Sequence, residues 1–219
     1  MKVLFAAFSP TESNPSSPSA DFISTAQSLS SDELVVSSVE LPYEWDNAYP
    51  ALERVLQQSW DAIVIVGMRK DIDSLAIERI ALNERSGSVK DAHGRRPLNK
   101  DIVENGDPGY WTGLPFRSLA GEIGKAGVPC FASHASGGGI GNLVFYRLMK
   151  WIADSKSTMV GGLLQVPETV DSPVVSRESS RKVLSILLDN LVKISTLGDP
   201  DRLAFDVEKV KLFKESPTQ

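Results

Sequence analysis

The run Ser136-Gly-Gly-Gly139-Ile-Gly141-Asn142 is the first place where residue type and spacing suggest chemistry. Glycines leading straight into a helical pattern leave backbone N–H groups free, and these together with the helix dipole can hold an anion. The competing reading is a tight strand-to-helix turn with no ligand. A substrate carboxylate held near Gly138 and Gly139 suits such a loop better than a nucleotide, because no phosphate-binding lysine or ribose-binding acid stands at the usual distance. His134 in the same loop offers an acid or base near neutral pH, or is a plain surface histidine. Ser136 is a candidate nucleophile with His134 as its base, since residues two apart in extended chain point to one side. Arg69 and Lys70 are either solvated loop charges or carboxylate ligands at the end of a buried strand. Cys130 reads as a buried apolar residue and His93 as an exposed one. No metal site and no cofactor is expected.

The elements that must position these residues alternate between strand and helix. Lys2 to Phe8 is a short apolar run stopped by Ser9-Pro10, as in a buried parallel strand. Ser19 to Leu29 has helical spacing, Leu34 to Leu41 is β-branched and ends at Pro42, and Ala48 to Gln58 is helical again. Asp61 to Gly67 is the clearest buried strand. Leu114 to Gly124 predicts a helix, Gly127 to Ser133 a strand, Gly141 to Asp154 a helix, Met159 to Val166 a strand and Arg177 to Ile194 an amphipathic helix. The implied fold is α/β, a mainly parallel twisted sheet with helices on both faces and ligands at the carboxyl ends of the strands. The expected organisation is one domain over 1–219, with 197–219 as a C-terminal extension whose patch from Leu203 to Phe213 suits an edge element or a homo-oligomer contact.

The 219 residues are 42% hydrophobic and 23% charged, with a formal charge of −5, a composition that can bury a full core and that shows no basic footprint for nucleic acid. One cysteine leaves no partner for a disulfide within these residues, and no apolar run approaches a membrane span. The expectation is a cytoplasmic protein with a small-molecule substrate and neither nucleic acid nor membrane as partner.

Several separated segments together resemble pyroglutamyl peptidase I, a family of cytosolic cysteine peptidases that remove an N-terminal pyroglutamate. They are Phe8-Ser-Pro10 with Asn14-Pro15-Ser16, Leu41-Pro42 with Trp45, Ile77-Glu78-Arg79-Ile80-Ala81-Leu82-Asn83, then Asp91, Gly94 and Pro97, then Gly106, Tyr110, Leu114 and Pro115, and finally Gly127-Val-Pro129 through Asn142-Leu-Val-Phe-Tyr146. The resemblance runs from about residue 2 to residue 195 and implies the family's fold. It also implies departures. Gly141 falls where the family has its nucleophilic cysteine and Gln165 where it has its base histidine, so a thiolate and its base are both missing. One pocket aromatic is matched by Phe8, the other falls at Thr11, and the glutamine that reads the lactam falls at Met68.

Glu78 is then the family catalytic residue that remains. It is either a structural carboxylate paired with Arg69 or Arg79, or a general acid or base whose pKa is raised inside walls of Phe8, Met68 and Trp111. With Glu78 and His134 as catalytic candidates, the expected binding residues are Phe8, Thr11, Met68, Arg69, Trp111, Ser136, Gly138, Gly139 and Gln165. The functional expectation is a repurposed non-peptidase enzyme acting on a small amino-acid-like or carbonyl substrate through Glu78, by condensation, cyclisation or isomerisation. The alternatives are a non-catalytic binding protein that uses the old cleft and a hydrolase with Glu78-activated water.

Overall fold

The computed structural model describes residues 1–10, 16–86, 88–97, 99–134, 136–169 and 172–197. Thr11, Asn14, Pro15 and the extension from 198 to 219, with its Leu203 to Phe213 patch, lie outside them. Eight strands are described: β1 Lys2–Phe8, β2 Val35–Leu41, β3 Ala62–Arg69, β4 Leu75–Glu78, β5 Ile80–Leu82, β6 Gly109–Trp111, β7 Cys130–Ser133 and β8 Val160–Pro167. The α-helices are α1 Pro18–Ile23, α2 Ala48–Val55, α3 Phe116–Lys125, α4 Ile140–Asp154 and α5 Arg177–Leu197.

Six strands form one sheet in the order β2-β1-β3-β8-β4-β7. The first four run parallel, while β4 meets β8 antiparallel and pairs β7 in parallel. The expected α/β class holds, with three short strands, β4 to β6, beyond those predicted. They were hidden because runs of three or four residues carry too little periodicity to register. The helix expected over 19–29 is broken into α1 and a 3₁₀ turn at Ala26–Leu29. Between them Ser24 donates its hydroxyl to Asp21 O at 2.7 Å, and within the turn Ser28 donates to Thr25 O at 2.6 Å, the local side-chain bonding that competes with a continuous helix.

Alternation along the strands divides the core in two. Val3, Phe5, Ala7, Val64, Val66, Ile77 and Leu164 face α1, α3 and α5, whereas Leu4, Ala6, Phe8, Ile63, Ile65 and Leu163 face α2 and α4. By the same parity Gly67, Glu78 and Gln165 belong to the α4 face. That face, at the carboxyl ends of β1, β3 and β8, carries the site. Among the described residues no helix is long and apolar enough to cross a membrane.

Candidate functional site

A cleft of about 1050 Å³ opens where β1, β3 and β8 end against the start of α4. Phe8 and Met68 contribute apolar wall, and Arg69, Ser136, Gly138, Gly139, Gly141 and Gln165 line it as well. The structure therefore brings most of the predicted site residues together, by strand ends meeting one helix start.

Glu78 does not face this cleft. It is fully buried behind Gln165 and Arg69. Its Oε1 accepts from Gln165 Nε2 at 2.7 Å and from Arg69 Nη1 at 3.3 Å, and its Oε2 has no hydrogen-bond partner among the described residues. Of the two basic partners considered, Arg69 is the one used. Its guanidinium also donates to Ser133 Oγ at 3.4 Å and grips Asp71 with two bonds at 2.9 and 2.8 Å. That grip, chiefly its hydrogen bonds, lowers the Asp71 carboxyl to about 2. Of the two expected settings, Glu78 has that of a buried carboxylate paired with the partly exposed Arg69, and it is not walled by Phe8, Met68 and Trp111.

Two further expectations fail on geometry. Trp111 is 57% exposed and lies under the Arg79 guanidinium, 4.5 Å from ring centroid to Cζ, so it walls no part of the cleft. His134 is exposed beside Arg79, Nδ1 to Nη1 3.4 Å, with its ring edge-on to Phe116, and it too is outside the cleft. Ser136 cannot be its nucleophile partner, because the Ser136 hydroxyl is buried and donates to Asn142 Oδ1 at 2.6 Å. Extended-chain parity misplaced the pair, since a hydrogen bond six residues ahead decides where Ser136 points.

The glycine loop is pinned as well as open. A Cβ on Gly138 would lie 2.6 Å from Ser86 N and Cβ, and Ser86 N donates to Gly138 O at 2.8 Å, so Gly138 serves close backbone packing. Gly137 has φ +67°. Gly139 caps α4 with no side-chain bond, while Gly141 in the first turn meets only Gly67 Cα and Leu163 Cδ1, both 3.9 Å from where its Cβ would be.

Sequence reasoning missed Tyr43, Asp71, Asp91 and Glu168 in the lining. Tyr43 stands edge-on to Phe8 at 5.5 Å, and burial, then Glu168 and Asp91, push its hydroxyl up to about 12. No local signal placed Asp71, because β3 ends at Arg69 and residues 70 and 71 turn, which is what returns the Asp71 carboxylate to the Arg69 guanidinium. Cys130 packs with the α3 and α5 core on the opposite face of the sheet, and burial pushes its thiol up to about 12. It sits level with Leu75, three residues short of the Glu78–Ser133 pair, so roughly 10 Å further back along the strand direction.

Comparison with known proteins decides the family. The profile of the pyroglutamyl peptidase family matches residues 1–198. The chain belongs to the pyroglutamyl peptidase family. Pyrrolidone-carboxylate peptidase 1 of Ralstonia nicotianae is 32% identical over 168 residues, covering 75% of this chain and 77% of the relative. The Brevibacillus brevis pyrrolidone-carboxylate peptidase is 24% identical over 198 residues, 87% of this chain and 92% of its own length. In three dimensions, pyroglutamyl peptidase I of Bacillus amyloliquefaciens superposes with a TM-score of 0.79 at 27% identity, covering 87% of this chain and 97% of that one.

This membership corrects the functional expectation. A repurposed non-peptidase enzyme using Glu78 for condensation, cyclisation or isomerisation, with its two alternatives, gives way to a member of a peptidase enzyme family matched from residue 1 to residue 198. The buried Arg69 and Gln165 contacts remove the free carboxylate on which that expectation stood.

Proposed function

We propose that this chain is a divergent member of the family that receives the amino-terminal residue of a peptide in the α4 cleft and is not a functional cysteine peptidase. The names of the relatives supply the ligand class. What carries the departure is the position of the thiol: Cys130 lies on the far face of the sheet from the cleft, with its pKa near 12, whereas an attacking thiolate must stand in the cleft beside a base. Gly141 and Gln165, the positions that resemble the family's nucleophile and base, supply neither a thiol nor an imidazole.

The test is turnover of pyroglutamyl and aminoacyl coumarin amides with and without iodoacetamide, in the unaltered chain and in Cys130→Ala. Pyroglutamyl coumarin should not be cleaved, and any aminoacyl turnover should survive both alkylation and Cys130→Ala. Pyroglutamyl cleavage that iodoacetamide or Cys130→Ala abolishes would sink the reading. A second arm asks whether the cleft is the family's: Gly141→Cys with Gln165→His should introduce alkylation-sensitive cleavage where the parent shows none.

A further inference from the structure

The charges that line the cleft do not balance. Its acids are Asp71, Asp91 and Glu168, and each already has a cation, Arg69 at 2.8 Å, Arg95 at 3.4 Å and Lys70 at 3.7 Å respectively. Lys90 and Arg96 line the cleft too. Both are exposed, and neither side chain forms an ion pair or hydrogen bond with the described residues. In a chain of formal charge −5, two uncompensated cations in one cleft are a local reversal of sign.

The fold fixes where these cations stand. Asp91 N donates to Arg95 O at 2.9 Å and Gly94 N to Asp91 O at 2.9 Å, so the chain enters and leaves this turn side by side, with Lys90 and Arg96 the next residues out. The turn is anchored on its far side: Ala92 N donates to Tyr43 O at 2.8 Å, His93 Nε2 meets Glu44 Oε1 at 3.2 Å and Arg95 Nη1 meets Asp46 Oδ2 at 3.2 Å. Its other basic residues are thus committed, whereas Lys90 and Arg96, like charges on adjoining chain segments, repel one another. The same segment is docked on the glycine loop, through Ser86 N to Gly138 O at 2.8 Å and through Val89 Cγ2, 3.9 Å from where a Gly139 Cβ would stand.

We propose that Lys90 and Arg96 form a carboxylate subsite of the cleft, so that its preferred ligands are short peptides with a negative charge beyond the amino-terminal residue. The proposal rests on the cleft assignment above and names the charge of the ligand's distal end. A volume of about 1050 Å³ stands at the upper end for a small-molecule site and leaves room for a second residue. A carboxylate between the two cations offsets their repulsion and gives acceptors to the guanidinium fork and to the ammonium. A cationic peptide would add a third positive charge there, and a neutral one would leave the repulsion in place. The carboxylate expected at the glycine loop is thereby assigned to the segment that packs on that loop, where side-chain cations hold it.

The experiment titrates the isotopically labelled full chain, followed by NMR, with three dipeptides: alanylalanine amide, which has no carboxylate, alanylalanine, which has one at its C-terminus, and alanylglutamate α-amide, which has one on its side chain. The same three are run with pyroglutamyl in place of the first alanyl group. At least one carboxylate form should bind roughly five-fold more tightly than the neutral amide, and the difference should shrink as salt rises from about 0.05 to 0.5 M, because the two cations are exposed. The tighter form tells which carboxylate is used, and its shifts should include Lys90 and Arg96. Lys90→Gln with Arg96→Gln, an exchange at two exposed positions that leaves the core untouched, should erase the preference while the neutral amide binds as before. A neutral amide that binds as tightly as both carboxylate forms, or a preference that survives the double exchange, would overturn the proposal and leave the cleft assignment standing. Binding of no peptide would overturn both. Thiol-dependent cleavage would sink the previous reading while leaving the carboxylate preference untouched, so the two failures are told apart.

Discussion

Asn142 and Gln165 are both buried amides beside the same cleft, but their hydrogen-bond inventories differ. Asn142 uses every group: Oδ1 accepts from Leu82 N at 2.9 Å and Ser136 Oγ at 2.6 Å, while Nδ2 donates to Leu82 O at 2.8 Å and Glu84 O at 3.1 Å. Gln165 uses only its nitrogen. The first amide ties the start of α4 to the end of β5 at Leu82 and to Glu84 beyond it, and the second holds Glu78 with its nitrogen and leaves its oxygen on the other side. A saturated buried amide is a structural tie, whereas a half-used one in a cleft wall keeps an acceptor that the fold itself does not pair.

Stability measurements can break this contrast. Asn142→Ala should give the largest effect, a loss of about 2–3 kcal/mol in denaturant unfolding, since it removes four bonds, two of them to partly buried Leu82 backbone groups and one from the buried Ser136 hydroxyl. Gln165→Met should cost about 1–2 kcal/mol, because the charge-assisted bond to Glu78 and the longer one to Ser136 O are lost while Arg69 still pairs Glu78. Equal losses in the two variants would show that Gln165 is as structural as Asn142.

The smallest effect sharpens the account of Arg69, which divides its guanidinium between exposed Asp71 and buried Glu78. Asp71 is depressed from its usual 3.8 to about 2, first by the Arg69 hydrogen bonds. A depressed folded pKa contributes stability that is complete above the unfolded value and is lost as pH falls through the folded one. The difference in Tm between the parent chain and Asp71→Asn should therefore be present above pH 4 and shrink between about pH 4 and pH 2. Because Asp71 is largely exposed, solvent screening keeps that difference small. A difference that stays constant across this window would mean that Arg69 is not held by Asp71.

Much of the fold was legible because strands and helices announce themselves locally. Lys2 to Phe8 and Ala62 to Gly67 are apolar runs bounded by turn residues, and α5 shows its stripe at Val183, Leu184, Leu187 and Leu191. Residue order alone also carried the likeness to the family through Ile77 to Asn83 and through Gly127 to Tyr146, and it placed Phe8, Met68, Arg69 and Gln165 in one cleft through the ends of parallel strands. What local pattern could not supply was the partner of each polar group. Glu78 and Gln165 are 87 positions apart, on β4 and β8, which meet antiparallel, so their 2.7 Å bond exists only once the sheet is assembled. Trp111 is drawn outward by Arg79, and Ser136 is turned by Asn142. Hydrophobic periodicity is a property of neighbours along the chain, and it fixes which face a residue occupies. Hydrogen bonds and ion pairs are satisfied by whatever the fold brings within about 3 Å, so the orientation of the Gln165 amide, and with it the character of the cleft, was decided by tertiary structure alone.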